Sequence, residues 1–363
     1  MKILIIKTSS LGDIIQAFPV VTYLKTAYPH AQIDWIVEDA FASLVRAHPL
    51  IDTTLVINTR KWKWALLSKC VWKEFGCAWH MLRLIRYDYT IDLQGNVKSA
   101  LLNLSSRAKK RGGMGFRCAP EWPSALFISK RCRVDLSTPI TSQYLFLAKQ
   151  IFNIQTNYPS ALLDLRLSSK EQKRLEQLNL LQDKPCLMIC FGSKWEAKKL
   201  PIRTWKRLLS SLLSRTDFFF FFVWQNNQEK DDAIWLQQAF PQNSQVLPLL
   251  SLPLWQKVIS QMDGVLSVDS AALHLCATTN TPSFSLFGPS NPSVYQPKGA
   301  MHSSFQGVCP YGQFFKKRCP YLRSCLSHAC MTNYYIEDVV KKILIWWDQQ
   351  VFLLKNKRDK KLD

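Results

Sequence analysis

The chain lacks the short signatures that assign many enzymes at sight. No G-x-G-x-x-G and no Walker A element occurs, so dinucleotide oxidoreductase and P-loop NTPase readings lose their main support. A G-x-S-x-G elbow is absent, and so is any Asp-x-Asp pair of the kind that holds a metal-bound diphosphate. No RNP1-like stretch points to RNA, and no nucleic-acid partner is expected. The longest apolar run, near Phe218 to Trp224, is far short of the roughly 20 residues of a membrane span. Lys7 interrupts Ile3 to Ile6, so no export-signal core forms and a cytoplasmic protein is expected. The eleven cysteines are then expected as thiols. None forms a C-x-x-C pair, so the late group Cys309, Cys319, Cys325 and Cys330 reads as loop thiols and no bound metal is expected.

Acid is the scarce charge. Twenty-six Asp and Glu face 47 Lys and Arg, a net charge of +21, which calls for an anionic partner: nucleic acid, a phospholipid surface or a phosphorylated substrate. The excess is clustered. Arg60 to Arg86 holds seven cations against Glu74, with Trp62, Trp64, Trp72 and Trp79 interleaved, and Lys98 to Arg133 holds nine against Glu121. Cations beside indoles suit a lipid headgroup interface; a solvated basic face is the plainer alternative.

At 363 residues, two domains are expected. Ile3 to Ile6 reads as a buried strand, Ile14 to Ala27 as a helix, and Ile33 to Val37, Thr54 to Ile57 and Tyr89 to Asp92 as further strands. After a boundary near 160 the alternation resumes, with strands at Cys186 to Phe191, Phe218 to Trp224, Gly264 to Val268 and Pro282 to Phe287. Helices fall around Pro201 to Leu213 and Ser270 to Thr278. The fold class is α/β, with mostly parallel sheets.

Three strand-to-helix loops carry the chemistry. Gly12-Asp13 follows the first strand, and by spacing alone Asp13 either caps the helix or stands as a base at the loop mouth. Gly192-Ser193-Lys194-Trp195-Glu196-Ala197-Lys198 and Asp269-Ser270-Ala271-Ala272-Leu273-His274 each place a hydroxyl ahead of a helix start. Backbone N–H groups and lysines there suit a diphosphate. Each loop singly also reads as a helix cap with surface lysines.

Together these residues resemble glycosyltransferase family 9. The matching stretches are Lys7 to Asp13, Trp35 to Ala42, Arg60 to Lys63, Ile91 to Ala100, Gly192 to Pro201, Ser267 to Leu275 and Phe287 to Pro292. The resemblance implies a GT-B fold, two Rossmann-like domains with parallel sheets facing a central cleft. These are an acceptor domain over 1–160, a donor domain over 161–335, a helix over 336–354 packing back on the first domain, and a disordered tail over 355–363. It implies an inverting, metal-independent transfer of L-glycero-D-manno-heptose from ADP-heptose, with no cofactor beyond that donor. The acceptor implied is the Kdo of Kdo-lipid A, met peripherally on the cytoplasmic face of the inner membrane. A family member acting on a heptose acceptor is the nearer alternative; a non-catalytic basic polyanion- or membrane-binding protein is the remoter one.

Family roles carry over as expectations. Asp13 matches the catalytic base and Lys198 the lysine that steadies the leaving diphosphate. Ser193, Lys194, Asp269, Ser270, Ala271 and His274 match the donor site, and Ser10, Gly12, Arg60, Lys61, Lys63, Gln94, Lys98 and Arg117 the acceptor site. The family's usual Asp-Thr-Gly reads Asp269-Ser270-Ala271 here, and Pro120 stands where an arginine precedes Glu121.

Overall fold

In the computed structural model, which describes residues 1–59, 76, 79–158, 160 and 162–359, the strand–helix alternation resolves into two units, Met1–Arg166 and Leu167–Asp363. Arg60, Lys61 and Lys63 lie outside the described residues, as do Trp62, Trp64, Trp72 and 360–363.

The first unit runs β1 Lys2–Ile6, α1 Leu11–Ala27, β2 Gln32–Glu38, α2 Ala42–Arg46, β3 Thr53–Ile57, β4 Arg86–Asp92, α3 Val97–Ser105, β5 Arg107–Met114, β6 Lys130–Cys132 and α4 Ile140–Phe152. Its six strands are all parallel, in the order β3-β2-β1-β4-β5-β6. Ile3, Leu4, Ile5 and Ile6 are fully buried, as a central strand covered on both faces requires.

The second unit runs α5 Ser169–Glu176, β7 Cys186–Cys190, α6 Ile202–Leu213, β8 Phe219–Phe222, α7 Asn227–Ala239, β9 Ser244–Val246, α8 Leu252–Ile259, β10 Gly264–Val268, α9 Ala271–Cys276, β11 Ser283–Phe287, α10 Pro292–Tyr295, β12 His302–Gln306, α11 Ala329–Thr332 and α12 Ile336–Asp359. Its sheet, also all parallel, has the order β12-β11-β10-β7-β8-β9. Each sheet therefore winds outward from its first strand, then returns to the other side of that strand. The strand order reverses between β1 and β4 in one unit and between β7 and β10 in the other. Loops leaving the carboxyl ends of those strands border the crevice where such sheets bind ligands.

Strand β5 escapes the sequence reading because its residues are Arg-Ala-Lys-Lys-Arg-Gly-Gly-Met. Its charges are tolerated because β6 pairs only with Gly112 to Met114, which leaves the first part of β5 at an open edge. There Lys109 reaches Asp88 at 2.8 Å and Lys110 lies over the Tyr89 ring. Strands β6 and β9 are three residues each, too short for a periodic signal.

The phenylalanine run is a core strand. Phe218, Phe220 and Phe222 are buried with Leu187, Leu208 and the inner face of α12. Trp347 meets Phe218 edge-on at 5.0 Å, and Trp346 donates to the Met301 carbonyl at 3.0 Å beside Phe284. Val339, Val340 and Ile343 of α12 complete this cluster, so the last helix is part of the second unit's core. No helix among the described residues is long and apolar enough to cross a membrane. Trp346→Ala removes a fully buried indole and its hydrogen bond; urea denaturation is expected to show a loss of about 3–5 kcal/mol.

Candidate active site

In the first unit, the loop after β1 and the loop after β4 are tied to each other across the point where strand order reverses. The Gln94 side-chain oxygen accepts from the backbone N–H of Thr8 and of Ser9, both at 3.2 Å. Asp92, at the end of β4, accepts from the N–H of Gln94 and Gly95 and from the Ser99 hydroxyl, at 2.8, 3.0 and 2.8 Å. Burial pushes the Asp92 carboxyl up, against these hydrogen bonds and the charge of Lys7. Gly95 has φ +69°, and a Cβ there would lie 2.7 Å from Pro120, so the turn requires glycine twice over.

The braced β1 loop delivers Asp13 to the first turn of α1. Its Oδ2 accepts from the Ser10 hydroxyl at 2.7 Å and from the Ser10 N–H at 3.2 Å, while the residue stays partly exposed. Asp13 thus caps the helix and still presents a carboxylate to solvent, so the two readings of its role are compatible. Gly12, expected to turn the loop, lies inside the first turn of α1, where its carbonyl accepts from the Gln16 amide at 3.3 Å. Lys98 stands on α3 with Nζ 2.9 Å from Glu38 and 2.7 Å from the Thr59 hydroxyl. Arg117 is exposed in the loop after β5.

In the second unit the corresponding tie is ionic. Lys198, in the loop after β7, places Nζ 2.5 Å from Oδ2 of Asp269, the residue that ends β10's path, and both side chains are buried. The Ser290 hydroxyl donates to the same oxygen. Burial alone would push the Asp269 carboxyl up. The charges of Lys198 and His274 and the hydrogen bonds from Lys198 and Ser290 outweigh it and hold the group below its ordinary range. His274 is itself buried on α9.

Aromatic rings spread the positive charge along this edge. Lys198 lies 5.7 Å and the Arg318 guanidinium 4.8 Å from the Tyr295 ring; Lys194 and Arg323 lie 5.7 and 5.0 Å from Trp195. Gly192 lies close against the buried Glu229 carboxylate, which a Cβ there would approach to 2.6 Å.

Two expectations change. Ser193 does not stand ahead of a helix start: its hydroxyl accepts from the Trp195 N–H at 3.5 Å, and after a short 3-10 turn at Glu196–Lys198, α6 begins only at Ile202. Ser270 holds the N-cap position of α9 without a side-chain capping hydrogen bond, and the helix begins at Ala271; the substitution for glycine therefore falls on an ordinary helical backbone rather than a left-handed one. Helix α9 spans six residues, so side-chain charge outweighs any summed backbone dipole. Sequence reading missed Ser290, Tyr295, Arg318, Glu229 and Asp92. Ser290 and Asp92 were visible inside the Phe287 to Pro292 and Ile91 to Ala100 stretches, whereas the others are joined to the site only by tertiary packing.

The late cysteines line one small pocket with Pro289 and Ala197, and the Cys330 thiol is pushed up to about 11 by burial and by the neighbouring Cys309, Cys325 and Cys319. Among the described residues, no group of three or more His, Cys, Asp or Glu is arranged to hold a metal ion.

Residues 77–322 match the family model described as glycosyltransferase family 9 (heptosyltransferase). Lipopolysaccharide heptosyltransferase 1 of Pseudomonas aeruginosa is 28% identical over 88% of this chain and 88% of its own length. The protein of the same description from Campylobacter coli is 28% identical over 94% and 98%. The solved structure of E. coli heptosyltransferase WaaC with ADP-2-deoxy-2-fluoro heptose has a TM-score of 0.74 at 24% identity, covering 94% of this chain and 99% of that one. That likeness, with the two parallel sheets, gives the fold as GT-B.

The ion pair has a stability signature. Because the folded-state pKa of Asp269 is depressed, its contribution is present above the unfolded value of about 4 and is lost as pH falls through the folded value. Asp269→Asn leaves Lys198 buried without its counter-charge, a loss of about 3–5 kcal/mol near neutrality. In urea titrations the gap between wild type and Asp269→Asn is expected to be large at pH 6 and to narrow at pH 3; a gap constant across that range contradicts the assignment.

Proposed function

The chain belongs to glycosyltransferase family 9, the heptosyltransferases, and we propose that it is a lipopolysaccharide heptosyltransferase I. In this reading it moves L-glycero-D-manno-heptose from ADP-heptose to the Kdo of Kdo-lipid A, working peripherally at the cytoplasmic face of the inner membrane. The observation that carries the reading is the buried Lys198–Asp269 pair at the sheet crevice of the second unit, set among Lys194, Arg318 and Arg323.

The reaction needs little else from the protein. The acceptor hydroxyl loses its proton to Asp13 as its oxygen attacks the anomeric carbon. The bond from that carbon to the diphosphate breaks, ADP departs with the bonding electrons, and the anomeric configuration inverts. Negative charge grows on the diphosphate in the transition state. Asp269 fixes the Lys198 ammonium where it opposes that charge, and the pre-set geometry avoids reorganisation during the reaction. The ring-bound cations supply the charge compensation a divalent ion would otherwise give. Ser270, Ala271 and His274 border the donor, with Ser193 and Lys194 at its other side. Ser10, Gln94, Lys98 and Arg117 serve the acceptor, joined in the proposal by Arg60, Lys61 and Lys63.

Asp13→Asn keeps the Ser10 contacts that start α1 but removes the base. Turnover is expected to fall by roughly 10²–10⁴-fold with the protein still folded. Wild-type-like turnover in that variant would remove Asp13 from its role. Acceptors bearing Kdo alone should be substituted in preference to those already carrying one heptose, and chelator should leave the rate unchanged. A preference for the heptose-bearing acceptor assigns the chain to the second heptose addition instead.

A further inference from the structure

One face of the first unit is apolar where a solvated protein surface has no need to be. On α3, Val97, Leu101 and Leu104 follow the i, i+4, i+7 spacing of a single helix face, and they are 38%, 52% and 46% exposed. The opposite face of α3 is spent on the core, through Ala100, Leu102 and Asn103. Packed beside α3 is the 3-10 turn Trp122–Phe127, which exposes Trp122 and Leu126 at 61% and 56%. The two segments are fixed together: Val97 N–H donates to the Glu121 carboxylate at 2.8 Å, and Glu121 N–H to the Gly95 carbonyl at 3.1 Å. The patch is therefore a built surface of five large apolar side chains.

The segment that carries the patch is rich in cations, of which Lys98 and Lys109 are paired with Glu38 and Asp88. Between residues 97 and 133 stand Lys98, Arg107, Lys109, Lys110, Arg111, Arg117, Lys130, Arg131 and Arg133, against Glu121 alone. Glu121 is already occupied by α3, as above. Arg131 is braced, with Nε 2.7 Å from the Ala125 carbonyl and its guanidinium 4.9 Å from the Phe116 ring. A second copy of this chain meeting the patch about a two-fold axis would bring two such cationic segments together, which opposes self-association. A nucleic acid would satisfy the cations and leave Leu101, Leu104 and Leu126 in water. An anionic bilayer surface satisfies both sets at once.

We propose that α3 and the Trp122–Phe127 turn form the face that docks on an anionic lipid surface. The five apolar side chains enter the boundary between headgroups and acyl chains, while Arg107, Arg117 and Arg131 meet lipid phosphates. The proposal rests on the reading of a lipid-linked acceptor and gives that reading a direction. Helix α3 carries Lys98 one residue beyond Val97, and its preceding turn holds Gln94, so the docking face adjoins the acceptor-side loops of the same unit.

The test is flotation of the full chain with vesicles of phosphatidylglycerol and phosphatidylcholine, against phosphatidylcholine alone. The comparison is with the triple variant Leu101→Gln, Leu104→Gln, Trp122→Gln. All three side chains are exposed, so the variant folds, and circular dichroism verifies it. Wild type is expected to float with the anionic vesicles and weaken in high salt, with the variant bound at least about tenfold more weakly. Turnover of both proteins on a Kdo acceptor stripped of its acyl chains is expected to be equal. Equal vesicle binding by both proteins overturns the docking face while leaving the transferase reading in place, as does loss of a dimer by the variant in light scattering. Absence of turnover on the stripped acceptor by the wild type overturns the transferase reading itself, whatever the vesicles show.

Discussion

A lysine and an aspartate, both buried and 2.5 Å apart, hold the functional edge of the second unit together. They come from loops that leave β7 and β10, the two strands between which the sheet reverses its order. Backbone geometry opens a crevice there in any sheet wound this way. The pair supplies what the backbone cannot: a cation fixed at the crevice floor, with the desolvation of each charge offset by the other and by Ser290. Much of the surrounding chemistry depends on it, because both Lys198 and Arg318 lie against the Tyr295 ring, and the charges of Lys198 and His274, with hydrogen bonds from Lys198 and Ser290, hold the Asp269 carboxyl below its ordinary range against burial.

The first unit ties its crevice loops with hydrogen bonds from backbone N–H groups to side chains. Its two crevice loops are joined by an amide, Gln94, accepting from Thr8 and Ser9, and by Asp92 gathering the turn that follows β4. A partly exposed carboxylate, Asp13, stands at the head of α1. One winding pattern thus carries a cation-rich edge in one unit and a partly exposed carboxylate in the other. That division of labour is what a transfer between an anionic donor and a hydroxyl acceptor requires.

Much of this was legible in the sequence where burial on both faces leaves continuous apolar runs, as at Ile3 to Ile6, Cys186 to Phe191 and Gly264 to Val268. It was illegible where the environment relaxes the pattern. Strand β5 keeps its lysines because its first half is an open edge, and β12 interleaves serines, with the Ser285 hydroxyl of β11 donating to the Ser303 carbonyl and the Ser304 hydroxyl to the Gln296 side chain. In the second unit, loop residues could be gathered by motif, and Lys198 and Asp269, which the structure brings together, were. Glu229, Tyr295 and Arg318 arrive from distant segments by packing, and no local spacing announces them. Gly12 shows the reverse error: a glycine beside a loop suggests a turn, yet here it opens a helix.

The apolar face of α3 places the charge excess of the chain in a different light. Part of the net charge of +21 lies in cations held against rings and carboxylates at the edge of the second sheet, and part in the segment that carries an exposed apolar ridge. The first group suits a soluble phosphorylated donor and the second a phosphorylated surface. The central claim concerns the first group, and calorimetric titration of ADP-heptose into wild type and Lys198→Ala, in chelator, tests it most directly. Saturable binding by wild type, weakened at least about tenfold in the variant, is the expected result. Equal affinity in the two proteins would contradict the account.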